Sequence, residues 1–308
     1  MIPSTTVAPV TDAAQPKKNG LLTGALAPIV LVFKRDRSAR AGLIIYGVML
    51  IIAIFAPLIA PHNPTAVMEV DGIWQSNKTP GSDYLLGTTN IGRDIFSQLI
   101  YGTRPALYVG FTAAISTVVI GTMIGLISGY FGGMVDLFLM RLTDVCFGIP
   151  FTPFVIVLVA FLGPNIWNIV LAMSLLFWRD TARVIRSQVL TVRQRPFVQA
   201  AKLAGASDAR TIFLYVAPNI LALSFLYGTL AIGWAILTEA SVSFLGFGDP
   251  STVSWGYMLQ DAYVSQALGR GAYYWFIPPG ITTMLAVMAG FFISRGFEEM
   301  LFPRLRGR

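Results

Sequence analysis

Apolar residues in this chain fall in long unbroken runs, without the period-of-two alternation of a half-buried strand. Ala41 to Ala60 and Ala106 to Tyr130 are apolar on every face. A run of about 20 such residues crosses the hydrocarbon core of a bilayer as a helix, because a helix closes its backbone hydrogen bonds within itself where no water can. A barrel would show alternating segments of about ten residues instead. Six candidate spans follow, at about 42–60, 106–129, 137–162, 165–185, 219–245 and 274–295. The fourth is the shortest in purely apolar length, Ile166 to Trp178, and Arg179 and Asp180 follow at once, so it is expected to continue as a helix into the headgroup layer. Pro150 and Pro153 remove backbone donors from the third, which predicts a kink there, with neighbouring helices satisfying the freed carbonyls. The fold class read from this pattern is an all-α integral membrane protein with about six transmembrane helices.

Composition excludes a soluble domain: 55% of the 308 residues are hydrophobic and 12% are charged, against about 25% charged in soluble domains, and the mean hydropathy is +0.67. Residues 1–20 are polar and proline-bearing. Leu21 to Phe33 is too short to span and is basic on both flanks, so it reads as an interfacial segment rather than a cleaved leader. Basic residues set the orientation. Lys17, Lys18, Lys34, Arg35, Arg37 and Arg40 precede the first span; Arg179, Arg183, Arg186, Arg193, Arg195, Lys202 and Arg210 follow the fourth; Arg295, Arg304, Arg306 and Arg308 close the chain. The opposite loops hold only Lys78, Arg93, Arg104 and Arg270. Both termini are thus expected on the cytoplasmic side. The domain plan is a cytoplasmic lead over 1–40, a first helix over 41–61, an extracytoplasmic loop over 62–105, a five-helix core over 106–297 with a cytoplasmic loop at 195–217, and a cytoplasmic tail over 298–308.

The net charge of +7 follows this topology and does not signal nucleic acid. Cys146 is the one cysteine, inside an apolar run, and His62 is the one histidine, between prolines. Neither supplies the three or four converging donors of a metal site. None of the five lysines, Lys17, Lys18, Lys34, Lys78 and Lys202, follows a glycine, so a phosphate-binding Gly-Lys-Ser/Thr element is excluded. No catalytic residue, metal or cofactor is expected on this chain.

Gly121, Gly125 and Gly129 place a small-residue groove on one face of the second span, a packing surface for another helix. Ionisable residues within spans are costly and face the bundle interior or a passage. Arg141 and Asp144, three apart, are expected to pair. Glu239 in the fifth span either bonds across helices or lines the passage. An ion-gradient carrier would use Asp144 or Glu239 as its proton site.

The cytoplasmic loop carries the most information. Pro196 suits the first position of a helix, Gly205 its stop and Ser207 the cap of a second helix through Thr211 to Val216. Phe197, Ala200, Ala201 and Ala204 are expected to present a small apolar face to a partner's groove. This loop resembles the signature of ABC importer permeases, Glu-Ala-Ala, three residues and glycine, with a Leu-Pro further on: Ala200, Ala201, Gly205 and Pro218 match, while Gln199, Tyr215 and Ala217 depart. Leu86 to Ser97, with Gly92-Arg93-Asp94, together with Thr238 to Gly248 and Ser254 to Leu259, looks like the C-type permeases of dipeptide, oligopeptide and nickel importers. The resemblance implies a type I importer permease fold in a bacterial or archaeal inner membrane. It implies coupling residues Phe197, Gln199, Ala200, Ala201, Gly205, Ser207 and Asp208. It also implies as partners a second homologous permease, two ATPase subunits that bind ATP and magnesium, and an extracytoplasmic solute-binding protein. This chain itself would be no enzyme.

Overall fold

The computed structural model describes residues 32–33 and 36–301. The expected interfacial segment, apart from Val32 and Phe33, and the polar ends of the chain lie outside the described residues. From Arg37 on, the helices among the described residues run α1 (Arg37–Ile59), α2 (Ile95–Phe131), α3 (Gly133–Gly148), α4 (Phe151–Leu162), α5 (Ile166–Val192), α6 (Pro196–Leu203), α7 (Asp208–Arg210), α8 (Ala217–Val242), α9 (Trp255–Val264) and α10 (Tyr273–Leu301). Wide π-type turns at Thr211–Val216 and Ser243–Phe247 flank α8. A hairpin of two two-residue strands, β1 (Glu69–Val70) and β2 (Ile73–Trp74), is a small addition to the all-helical expectation. It turns on Asp71 and Gly72, both at positive φ.

Polar residues start the helices. Asp36 accepts from Ala39 N at 2.7 Å, Asp94 from Ser97 N at 2.9 Å, Asn165 from Trp167 N at 2.8 Å and Ser254 from Tyr257 N at 3.2 Å. Each satisfies a donor that the first turn leaves without an intrahelical partner.

Among the described residues four stretches are long and apolar enough to cross a membrane: Arg37–Ile59, Ile95–Phe131, Asp208–Phe247 and Tyr273–Leu301. The expected third span is not one helix: α3 and α4 meet at a bend of 83°, and the pair counts as a fifth candidate crossing. α5, the expected fourth, has 27 residues, about 40 Å at 1.5 Å per residue, but Arg179, Asp180, Arg183 and Arg186 occupy its second half. The second span begins at Ile95, not 106, so the preceding loop ends at Asp94. Gln98, Arg104 and Pro105 interrupt the apolar run without ending the helix, because Gln98 Nε2 donates to Pro64 O (3.2 Å) and Arg104 Nε to Ala53 O (2.7 Å).

α2 and α8 contribute to all three apolar cores. The first joins them to α1, α9 and α10, the second to α4 and α5, and the third to α5, α6 and the Thr211–Val216 turn. The predicted glycine groove receives α5. A Cβ at Gly121 would lie 2.8 Å from Trp178 O, one at Gly125 2.7 Å from Ala182 O and one at Gly129 2.9 Å from Arg186 O. These contacts are with backbone, so no side-chain rotation relieves them; only the absence of a Cβ permits the approach. α3 is the opposite case. Among its described residues only Thr143 is buried, and Met134, Phe138 and Val145 are largely exposed.

Candidate functional site

The segment 195–217 lies at the end of the bundle where α2 and α5 finish and α8 begins. Pro196 occupies the first turn of α6, where its missing N–H costs nothing. The helix ends in a Schellman arrangement: Ala206 N donates to Ala201 O at 3.1 Å and Gly205 N to Lys202 O at 3.0 Å, with Gly205 at φ +81°. Nothing lies within 4 Å of where a Gly205 Cβ would stand. Glycine is required there by backbone conformation and not by space. Ser207 then caps α7, accepting from Arg210 N at 3.4 Å. The following turn widens where Pro218, early in α8, has no N–H to give, and Asn219 Nδ2 donates to the Tyr215 carbonyl at 2.7 Å.

The exposed face of α6 differs from the expected one. Val198 is fully buried in the third core beside Ile212 and Val216, and Ala201, one turn on along the same side of the helix, is 9% exposed. Ala201 therefore anchors the helix and is withdrawn from the predicted partner face. Phe197 (41% exposed), Gln199, Ala200, Ala204 and above all Leu203 (91% exposed) remain on the surface. Leu203 was missed by reasoning from the motif, since the motif does not specify that position; the apolar residue two places before the stop glycine was the available signal.

Polar contacts tie this segment to the bundle. Tyr130 Oη donates to Asp208 Oδ1 at 2.6 Å, and the Lys202 ammonium sits 4.5 Å from the centre of the Tyr130 ring. Arg193 Nη1 donates to Gly129 O (2.9 Å) and Tyr130 O (3.1 Å), completing the C-terminus of α2. Arg186 grips Asp136 through Nε and Nη2, both at 2.5 Å, in the forked geometry that favours arginine. The end of α2, the start of α3, the end of α5 and the 195–217 segment thus form one hydrogen-bonded unit. Asp136 and Tyr130 carried no sequence signal, since their partners lie 50 and 78 residues away.

The predicted Arg141–Asp144 pair is loose. Arg141 Nη1 is 3.9 Å from Asp144, whose close partner is Arg183 Nη2 on α5 at 2.8 Å. Spacing along one helix offered a partner, and helix packing supplied a nearer one. Glu239 is 3% exposed and accepts from Ser243 Oγ at 2.7 Å, a bond one turn along its own segment. The structure does not bring Glu239 together with Asp144 and Arg141: Glu239 sits on α8, the other two on the outer face of α3. At the other end of the bundle, outside the spans, Asp261 Oδ2 is buried without a hydrogen bond, and burial raises its carboxyl above the ordinary range while Arg93 draws it down. Among the described residues no group of three or more His, Cys, Asp or Glu side chains is placed to hold a metal ion.

Comparison with known proteins agrees with this architecture. Residues 121–307 match the family described as binding-protein-dependent transport system inner membrane component, and residues 29–80 match the N-terminal TM domain of oligopeptide transport permease C. The chain is 36% identical over 279 residues to the dipeptide transport system permease protein DppC of Haemophilus influenzae, covering 89% of this chain and 93% of that one. It is 34% identical to the DppC of Alkalihalophilus pseudofirmus (89% and 88% covered) and 33% identical to the oligopeptide transport system permease protein OppC of Bacillus subtilis (90% and 89% covered). With more than half of its length inside the family match and relatives above 30% identity along nearly its whole length, the chain belongs to the binding-protein-dependent transport system inner membrane components, the permeases of ABC importers.

Proposed function

We propose that this chain forms half of the translocation pathway of an ATP-driven importer of short peptides or a related small solute, and that α6 couples the bundle to an ATPase subunit. The observation that carries the reading is the exposed α6 corner, apolar at Phe197 and Leu203 yet fastened to the bundle through Val198, Ala201 and the Tyr130–Asp208 bond. A groove that takes Leu203 and Phe197 gains apolar burial, and the fastened side carries its displacement into α2, α5 and α8 as a rigid body. Two ATPase subunits binding ATP and magnesium, a second homologous permease and an extracytoplasmic solute-binding protein complete the assembly. α6 and both termini lie on the cytoplasmic side. The exposed apolar side of α3 supports a neighbour in the membrane, either lipid or the second permease. The names of the relatives support peptides as cargo, and the family match leaves the ion-gradient carrier using Asp144 or Glu239 without support. This chain breaks no bond in the solute; hydrolysis belongs to the ATPase partners.

The test is Gly205→Leu in the complete assembly. An L-residue held at this left-handed φ is strained by about 1–2 kcal/mol, enough to shift the corner about tenfold towards other conformations. ATP-driven peptide uptake into proteoliposomes is expected to fall about tenfold while membrane insertion and span packing are kept, because the position is open. Unchanged uptake by a variant that still assembles overturns the coupling role.

A further inference from the structure

Two stretches singled out in the sequence, Thr238 to Gly248 and Ser254 to Leu259, have no part in the 195–217 corner, and the fold brings them together at the far end of α8. That helix begins at the corner and runs 26 residues, about 39 Å, before it opens into the wide Ser243–Phe247 turn, where Gly246 stands at φ +93°. A wide turn with a left-handed glycine, leading into a loop, is the local geometry of a hinge. Left to itself, such a turn would let α9 tilt against α8.

Contacts across the turn remove that freedom. Glu239, one turn before the end of α8, is 3% exposed and accepts from two hydroxyls, Ser243 Oγ at 2.7 Å and that of Ser254, the cap of α9. Ser254 Oγ already accepts from Tyr257 N at 3.2 Å. A hydroxyl has one proton to give, and Glu239 receives it. One carboxylate thus joins α8, the turn and the start of α9. Beside it Gly256 rests on α8 so closely that a Cβ there would meet the Ala240 carbonyl and lie 2.8 Å from Ser243 Cβ. Towards the other end of α9 the Tyr263 ring lies 5.6 Å from that of Phe244 in the turn. α9 also reaches α2, where Trp255, 2% exposed, donates Nε1 to Leu99 O at 3.0 Å.

We propose that Glu239 is a positioning residue that locks the Ser243–Phe247 turn, so that α8 and α9 move as one body when the 195–217 corner is displaced. A carboxylate buried in a span is costly and is kept where it is bonded or used; here its use is to close a hinge. The inference rests on the coupling reading of the corner and adds where its motion is delivered, to α9 and through Trp255 to the early part of α2. The lock requires hydrogen-bonding capacity and not charge. Glu239→Gln keeps an oxygen for Ser243 and supplies N–H groups that Ser254 Oγ can accept, whereas Glu239→Met fills the space and bonds neither.

The experiment uses the complete assembly in proteoliposomes, with trialanine as the solute. Peptide imported per ATP hydrolysed is measured for the unaltered chain, Glu239→Gln and Glu239→Met. Loss of two hydrogen bonds to a buried carboxylate is expected to lower that ratio about tenfold in Glu239→Met, and Glu239→Gln to retain it. A merely structural carboxylate would lower import and hydrolysis together and leave the ratio unchanged, and a carboxylate whose charge serves the passage would lose as much in Glu239→Gln as in Glu239→Met; either result overturns the proposal. A second measurement reads the lock directly. With Cys146→Ala removing the native thiol, spin labels at Leu237→Cys on α8 and Val264→Cys on α9, both exposed positions, are expected to report one distance in the nucleotide-free and vanadate-trapped states, and two different distances once Glu239→Met is added. A distance that shifts between states with Glu239 in place, or that stays fixed in Glu239→Met, overturns the lock. Where Glu239→Met fails to assemble, Ser254→Gly breaks the same bridge and leaves the helix cap nearly intact, and the same loss of ratio and shift of distance are expected of it. Absence of ATP-driven trialanine uptake by the unaltered assembly would instead overturn the importer reading, and the label distances stay separate from it.

Discussion

Two prolines-in-helix regions of this molecule, one in α1 and one between α3 and α4, solve the same chemical problem with different outcomes. Pro57 lies inside α1 and lacks the N–H that would reach the carbonyl four residues back, at Ala53; Arg104 of α2 donates its Nε to that oxygen at 2.7 Å, and α1 continues without a break. Pro150 and Pro153 withhold the N–H groups that would reach Cys146 and Ile149; Ile149 N turns back to Cys146 O at 3.4 Å, and Arg179 of α5 donates Nη1 to both carbonyls. Here the chain turns by 83°. One missing donor leaves the neighbouring turns able to hold the helix, whereas two missing donors three residues apart, with Gly148 and an extended Ile149 between the helices, leave no intact turn across the gap. In both regions an arginine from the adjacent helix stands where water would stand in a soluble protein. The geometry of the α3–α4 pair therefore depends on a contact made by α5.

The largest expected effect comes from removing the donor with two acceptors. Arg179→Met keeps the aliphatic stem, strands the Ile149 carbonyl and leaves Cys146 O only its 3.4 Å bond from Ile149 N; it is expected to destabilise the purified complex by about 2 kcal/mol, read as a lower thermal unfolding midpoint in detergent, and a midpoint equal to that of the unaltered chain would show that the bend is held by packing alone. Arg104→Met strands one carbonyl, and about 1 kcal/mol is expected by the same measurement. The smallest and sharpest effect is a double change. Replacing Pro57 by Ala restores the N–H that closes on Ala53 O, so Arg104→Met in a Pro57→Ala background should cost nearly nothing. A full penalty in that background would mean that Arg104 acts through its contact with the Tyr101 ring, 5.0 Å away, and not through the carbonyl. Such a cycle isolates the pairwise contribution.

Much of the fold was legible because each signal was local. Apolar runs of sufficient length predicted helical crossings, the glycine repeat predicted a groove, and Pro196, Gly205 and Ser207 each act within a few residues of themselves. The candidate site was legible to the same extent: the helix, its glycine corner and its cap were read from 195–217. Which side of α6 faces outward was not, since Ala200, Ala201 and Ala204 are equivalent in hydrophobicity and only the position of the Ile212–Val216 turn makes Ala201 the inward one. The start of α2 was misplaced for a related reason. Arg104 and Pro105 look like the end of a loop until the carbonyl of Ala53, 51 residues away, is seen to need a donor.

By itself the sequence determined that this chain is a helical membrane protein of the importer-permease family, because bilayer burial demands long apolar helices and the family's loop motif is written in consecutive residues. Tertiary structure alone decided which helix donates to the carbonyls at the Pro150 kink and the choice of Arg183 over Arg141 as the partner of Asp144. Each of these depends on distances between helices that are far apart in the chain, and hydrogen bonds and ion pairs fall off within a few ångströms, so no spacing along the sequence could encode them.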